Sequence, residues 1–215
     1  KRGDRRNGGR ARFGARPVVL FSHGNGGVRI QSIFLTEYLA SHGFVVAAPD
    51  HTGNLIQDVM FGESDTAQSA LDRPVDVSFL IDEIVERTDS TVPLLSGAFD
   101  RERIGVTGHS FGGYTSLAIA GAAFNLADAR IYCLENPGEI ACSLLEGFDP
   151  SLDLYSFRDE RVSVAIPLAP GGYELFGPAG MAEVAVPTLI QAGDVDFTTP
   201  LEEEQEPMFE GLSEE

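Results

Sequence analysis

Apolar positions along the chain fall into short runs and helical stripes that take turns. Val18 to Ser22 is a compact apolar run that predicts a strand, and Ser32 to Ser41 predicts an amphipathic helix. Phe44 to Ala48 predicts a second buried strand, stopped by Pro49. Asp72-Arg73-Pro74 carries a helix-start signature, with the aspartate as N-cap and the proline in the first turn, and Val75 to Arg87 continues it. Within that helix Val77, Leu80, Ile81, Ile84 and Val85 recur at helical spacing and are core candidates. Ile104 to Thr107 predicts a strand, Gly113 to Ala123 its helix, and Val162 to Leu168 and Thr188 to Ala192 two further strands. Short apolar strands alternating with helices imply an α/β protein, with a mostly parallel sheet and helices on both faces. Ligand sites of such sheets lie at the carboxyl ends of the strands.

Two segments break the alternation. Arg130 to Arg161 contains Pro137, Gly138, Gly147 and Pro150, is too long for a simple connection, and is expected to form a cap or lid insertion beside the site. Its Leu144, Leu145, Phe148, Leu152, Leu154, Tyr155 and Phe157 suit an apolar acyl pocket and ordinary core equally well. Leu201 to Glu215 is acidic and reads as an opening helix.

Composition narrows the class. At 215 residues, 43% hydrophobic and 22% charged, the chain suits one globular domain over residues 17–215. No run is long enough to span a membrane. The net charge of −18 is unevenly spread: residues 1–16 carry seven bases and one acid, and from Asp194 onward there are nine acids and no base. The basic stretch is expected to be a flexible lead-in, and the acidic body argues against nucleic acid as a partner. Lys1 opens the chain with no initiator methionine and no apolar signal region, so the chain is read as a piece of a longer one. Cys133 and Cys142 stand nine positions apart, in neither a CxxC pair nor beside a histidine, which argues against zinc. A local disulfide and two separate buried thiols both fit them.

The chemistry centres on Gly108-His109-Ser110-Phe111-Gly112, a G-x-S-x-G pentapeptide between a strand and a helix. That context predicts a nucleophile elbow, with the Ser110 hydroxyl raised above the sheet and glycines on either side where strand and helix backbones meet. An attacked carbonyl develops an oxyanion that needs fixed N–H donors. Phe111, directly after the serine, is expected to give one. The other is assigned to Asn25 in Ser22-His23-Gly24-Asn25-Gly26-Gly27, the exit loop of the first strand, where His23 braces the loop. Gly193-Asp194-Val195-Asp196-Phe197-Thr198-Thr199-Pro200 offers the acid. Asp196 is preferred because its spacing to Pro200 gives a G-x-x-D-x-x-x-P pattern, with Asp194 left to stabilise the turn. A Ser…Asp…His order then requires a histidine after the acid, yet His23, His42, His51 and His109 all precede it. The base is therefore expected beyond residue 215, with His51 the in-chain substitute.

The loop at Ser22–Gly27, the stretch Ala40-Ser41-His42-Gly43-Phe44-Val45-Val46-Ala47-Ala48-Pro49-Asp50-His51 and the pentapeptide followed by Gly113 resemble the platelet-activating-factor acetylhydrolase-like and predicted dienelactone hydrolase-like α/β-hydrolases. The resemblance runs from about Pro17 to Pro200. It implies the α/β-hydrolase fold, Ser110 as nucleophile and the Asn25 and Phe111 amides as oxyanion donors. Two departures follow. Dienelactone hydrolases proper use cysteine where this chain has Ser110. The acetylhydrolase branch carries its acid after the strand matching Val162–Leu168, where this chain reads Leu168-Ala169-Pro170, so the role passes to Asp196. The expected activity is metal- and cofactor-free hydrolysis of carboxylic esters through an acyl-enzyme, on a small ester or lipid. A catalytically inactive binding module and a related thioesterase or peptidase are the alternatives. Extracytoplasmic residence is expected from the possible disulfide and from the habits that the resemblance implies.

Overall fold

The computed structural model describes residues 14–87, 95–138, 142, 145 and 148–212. Most of the basic lead-in and Leu144 lie outside the described residues. A four-stranded parallel sheet runs in the order β2-β1-β3-β6, with β1 Arg16–Ser22, β2 Val45–Ala47, β3 Phe99–His109 and β6 Val162–Leu168. Crossovers of this kind need helices, and the chain supplies α1 Ile33–Ser41, α2 Ile56–Phe61, α3 Thr66–Asp82, α4 Phe111–Ala120, α5 Leu126–Glu135, α6 Tyr173–Met181 and α7 Glu206–Glu210. A short antiparallel pair, β4 Phe124–Asn125 and β5 Leu154–Tyr155, stands apart from the sheet.

The core lies where α4 crosses the sheet. Every residue of α4 from Gly112 to Ala120 is buried, and Leu117, Ile119, Val18, Leu20, Ile104 and Val106 form one cluster with Val77 and Ile81 of α3. Such a helix is apolar on all sides because it is enclosed on all sides. By contrast α1 buries no residue at all and β2 is only half-buried, so the expected amphipathic face and buried second strand take the form of a sheet edge.

Two elements differ from the sequence reading for identifiable reasons. The third helix begins at Thr66, because Asp65 caps it by accepting from the Gln68 N–H at 2.9 Å; Pro74 lies in its interior. A proline there leaves the carbonyl four residues back without its helical donor. That carbonyl is Ala70, and the buried Tyr114 hydroxyl donates to it at 2.9 Å. The segment expected as a strand at Thr188–Ala192 runs beside β6 in parallel but meets it only at isolated bridges. Backbone bonds run from Ala165 to Pro187, Leu189 to Ala165, Gln191 to Pro167 and Ala169 to Gln191. The rung that a residue at 167 would donate is missing because Pro167 has no N–H.

The expected lid packs elsewhere. Phe148 and Phe157 lie edge-on to Phe124 at 5.8 and 5.5 Å, with Tyr155 against both. Leu145 also packs on the core, while Leu152 and Leu154 are exposed. These apolar residues are therefore satellite core and surface. Cys133 and Cys142 form a disulfide, which resolves the alternative left open by their spacing.

Candidate active site

Ser110 is the N-cap of α4 with φ 57 and ψ −116, one of two non-glycine residues with positive φ among those described. A side chain in this region costs roughly 1–3 kcal/mol and persists only where its surroundings force it. Here they do. The Ser110 N–H donates to the Leu168 carbonyl at the end of β6 at 2.9 Å, and its own carbonyl accepts from Gly113 and Tyr114. The glycines on either side are a packing demand. A Cβ on Gly112 would stand 1.9 Å from the Ser22 carbonyl oxygen, and one on Gly108 would stand 2.5 Å from the same atom. The strand-turn-helix elbow expected from G-x-S-x-G is thus present in the backbone.

Ser110 lies between two openings. One, of about 240 Å³, is lined by Ala70, Phe111, Tyr114, Leu175 and the carboxyl-bearing Glu174 and Glu204. The other brings the Gly24–Gly27 loop, with Asn25, to the same serine together with His109 and Thr198. Neither is lined by a described residue of the 130–161 segment. The main-chain N–H groups of Asn25 and Phe111 donate to no protein acceptor among the described residues. A residue the sequence reading passed over steadies this loop: the Gln31 amide accepts from the Gly24 N–H at 2.8 Å and lies 3.2 Å from His109 Nδ1.

Asp196 stands in the loop that carries Thr198 to the serine. One carboxyl oxygen accepts from the Thr199 and Thr198 N–H groups at 3.0 and 2.8 Å, the other from the Thr199 hydroxyl. These bonds, led by that of Thr199, hold the carboxyl below the usual aspartate range, so it is an anion at neutral pH.

Among the described residues none of the four histidines hydrogen-bonds the Ser110 hydroxyl, although His109 lines the same opening as Ser110. His42 is exposed and bonds the Tyr38 carbonyl, and His109 meets Gln31. His23 bonds the Gly24 carbonyl and receives the His51 N–H, so it does brace the loop. His51, the in-chain substitute considered above, belongs to a different Ser–His–Asp chain. Its Nε2 is 2.9 Å from Ser22 Oγ and its Nδ1 2.8 Å from Asp76 Oδ2. The Asp76 carboxylate can only accept, so the neutral ring carries its hydrogen on Nδ1 and its Nε2 accepts from the Ser22 hydroxyl, whose oxygen also accepts from Arg73 at 3.0 Å. Ser22 and His51 are both buried, and an arginine cation occupies the hydroxyl, so this chain is a brace for the end of β1. Burial lowers both imidazoles, His23 to about 4, and keeps them neutral. Contacts separated by 25 to 51 residues make this network, and no local signal announces it.

Glu204 is the other perturbed group at the site. Burial, reinforced by Glu174 and Glu203, raises its carboxyl to about 7 against the Tyr173 N–H that it accepts at 2.9 Å. Between the ordinary glutamate range and 7 the folded protein keeps a proton that the unfolded chain releases, so stability falls as pH rises through that window and levels off above it. Glu204→Gln is therefore expected to stabilise the protein by about 1 kcal/mol at pH 8, after allowance for partial solvent screening, and to do little at pH 4.5. Urea unfolding at the two pH values measures it; an equal effect at both contradicts it.

Among the described residues no group of His, Cys, Asp or Glu is placed to hold a metal ion, and no helix is long and apolar enough to cross a membrane. No curated protein matches the chain. The profile described as "Alpha/beta hydrolase family" matches residues 19–212. That match spans the sheet, the elbow and the Asp196 loop together, and the chain belongs to the alpha/beta hydrolase family.

Proposed function

We propose that the protein is a serine hydrolase of carboxylic esters that works through an acyl-enzyme on Ser110. The observation that carries this reading is the strained backbone of Ser110 between two openings, with N–H groups at Asn25 and Phe111 that meet no acceptor among the described residues. In the first step the Ser110 oxygen bonds to the ester carbonyl carbon, and the carbonyl electrons move onto oxygen, where the two amides hold them. The carbon–oxygen bond to the alcohol then breaks, the alcohol leaves with a proton, and water repeats the sequence to free the acid. In this reading a general-base imidazole, oriented by the Asp196 carboxylate, takes the Ser110 proton and returns it to the leaving alcohol; among the described residues no hydrogen bond ties one of the four histidines to Ser110. The apolar lining and volume of about 240 Å³ on the Leu175 side favour a short acyl group there.

A catalytically silent binding module on the same fold is the competing reading, favoured by the engagement of all four histidines. A thioesterase or peptidase would use the same parts. Treatment of the intact protein with a fluorophosphonate is expected to give one adduct, mapped by mass spectrometry to Ser110. No adduct at neutral pH would refute the hydrolase reading and leave the binding module. A panel of p-nitrophenyl esters, thioesters and peptide amides then separates the acyl classes.

A further inference from the structure

Beneath the elbow lies an arginine for which neither the fold nor the nucleophile accounts. Arg73 is wholly buried in the middle of α3, and among the described residues it forms no ion pair with a carboxylate. The carboxylate whose charge acts on it, Asp76, is bonded to His51. Burial without a counter-ion is costly, and it pulls the guanidinium down to about 9, which still leaves a cation at neutral pH. A buried cation of this kind is usually replaceable by a packed apolar side chain unless its hydrogen bonds have a purpose.

Those bonds converge on the two sides of the oxyanion site. One terminal nitrogen donates to Asn54 Oδ1 at 2.6 Å, and the Asn54 amide donates in turn to Asn25 Oδ1 at 2.7 Å. The other donates to Ser22 Oγ and to the His23 carbonyl, fixing the chain just before Asn25. The third nitrogen donates to Thr115 Oγ1 in the second turn of α4 at 3.2 Å, and the guanidinium carbon lies 4.5 Å from the centre of the Phe111 ring. One planar fork therefore touches the loop that presents the Asn25 amide and the helix that presents the Phe111 amide. A fork with five donors can do this; a lysine ammonium cannot reach all of these acceptors in one geometry.

We propose that Arg73, acting through Asn54 on one side and Phe111 and Thr115 on the other, is a positioning residue that keeps the two oxyanion amides aligned on a single oxygen. The inference rests on the hydrolase reading. An oxyanion donor removed outright costs roughly 100- to 1000-fold in kcat, and misalignment costs a part of that.

Arg73→Lys and Asn54→Ala are the test, with turnover expressed per serine titrated by the fluorophosphonate. Each is expected to lower kcat by roughly 10- to 100-fold with KM within about twofold, and to weaken an alkyl boronic acid that adds to Ser110 by the same factor as kcat/KM. A purely structural role would instead lower the number of titratable serines and leave turnover per serine at the wild-type value, which would overturn the proposal. Asn54→Ala keeps the guanidinium in place, so the test survives if the Arg73 variant does not fold. A wild-type protein that neither labels nor hydrolyses esters removes the hydrolase reading and this inference with it, whereas an active wild type with unchanged variants removes the inference alone.

Discussion

Gly112→Ala is expected to cost at least about 4 kcal/mol of stability, among the largest effects a single methyl group can have. The added Cβ would lie 1.9 Å from the Ser22 carbonyl oxygen, 2.6 Å from its carbon and 2.9 Å from the His23 oxygen. All three are main-chain atoms at the end of β1, so no side chain can swing aside. Relief requires α4 to lift away from the sheet, and α4 carries the most completely buried segment of the core. With total stability of roughly 5–15 kcal/mol, a loss of that size leaves a substantial fraction unfolded. Gly193→Ala is the matched control, since nothing lies within 4 Å of its Cβ position and its φ is ordinary. Urea midpoints and soluble yield measure both variants. A Gly112→Ala protein with the wild-type midpoint would mean that the close approach of helix and strand does not exist.

That close approach was legible in the sequence because the signal is local. A strand, a serine between glycines and a helix lie within about twenty residues, and the steric demand of the turn writes itself into the glycines. The strands β1 and β6 were legible for the same reason, as compact apolar runs. Legibility failed where distant residues decide. Pro74 looks like a helix start, yet it sits inside the helix because the Ala70 carbonyl it leaves free is satisfied by Tyr114, 44 residues beyond Ala70. The N-terminal half of β3 was hidden by Asp100, Arg101, Glu102 and Arg103, which are polar because this end of the strand is partly exposed. Thr188–Ala192 has the composition of a strand, yet its neighbour presents a proline at the rung it needs.

At the candidate site, the sequence marked the parts that the proposed chemistry would fix by type and spacing, namely Ser110, the Gly24–Gly27 loop and the Asp196 loop. It left out the parts fixed only by partners. His51 drew notice as a titratable group near a strand end, but whether it serves Ser110 or Ser22 depends on which strand end it faces. Arg73 passed as an ordinary residue of a helix start, and its burial inverts that reading. A cation at this depth in a chain of net charge −18 is not there to offset the surface acids, from which it is shielded.

Ser110 itself supports the second prediction. Ser110→Ala and Ser110→Gly are both expected to lower ester turnover of the intact protein by up to roughly a millionfold, because the acyl-enzyme bond is made to the Ser110 oxygen. Their stabilities should diverge. Alanine keeps the Cβ at φ 57 and ψ −116 and so keeps the strain, whereas glycine occupies that region freely. Relief of roughly 1–3 kcal/mol is offset by up to about 1 kcal/mol of extra chain entropy lost on folding, which leaves the glycine variant about 1 kcal/mol more stable than the alanine variant. Equilibrium unfolding in urea, with the slope checked for constancy, resolves a difference of that size. Equal stabilities would show that the backbone at 110 stores no strain. A glycine variant that is both more stable and inactive would show that the stability given up at this turn serves to hold a hydroxyl where two main-chain amides face the same substrate oxygen.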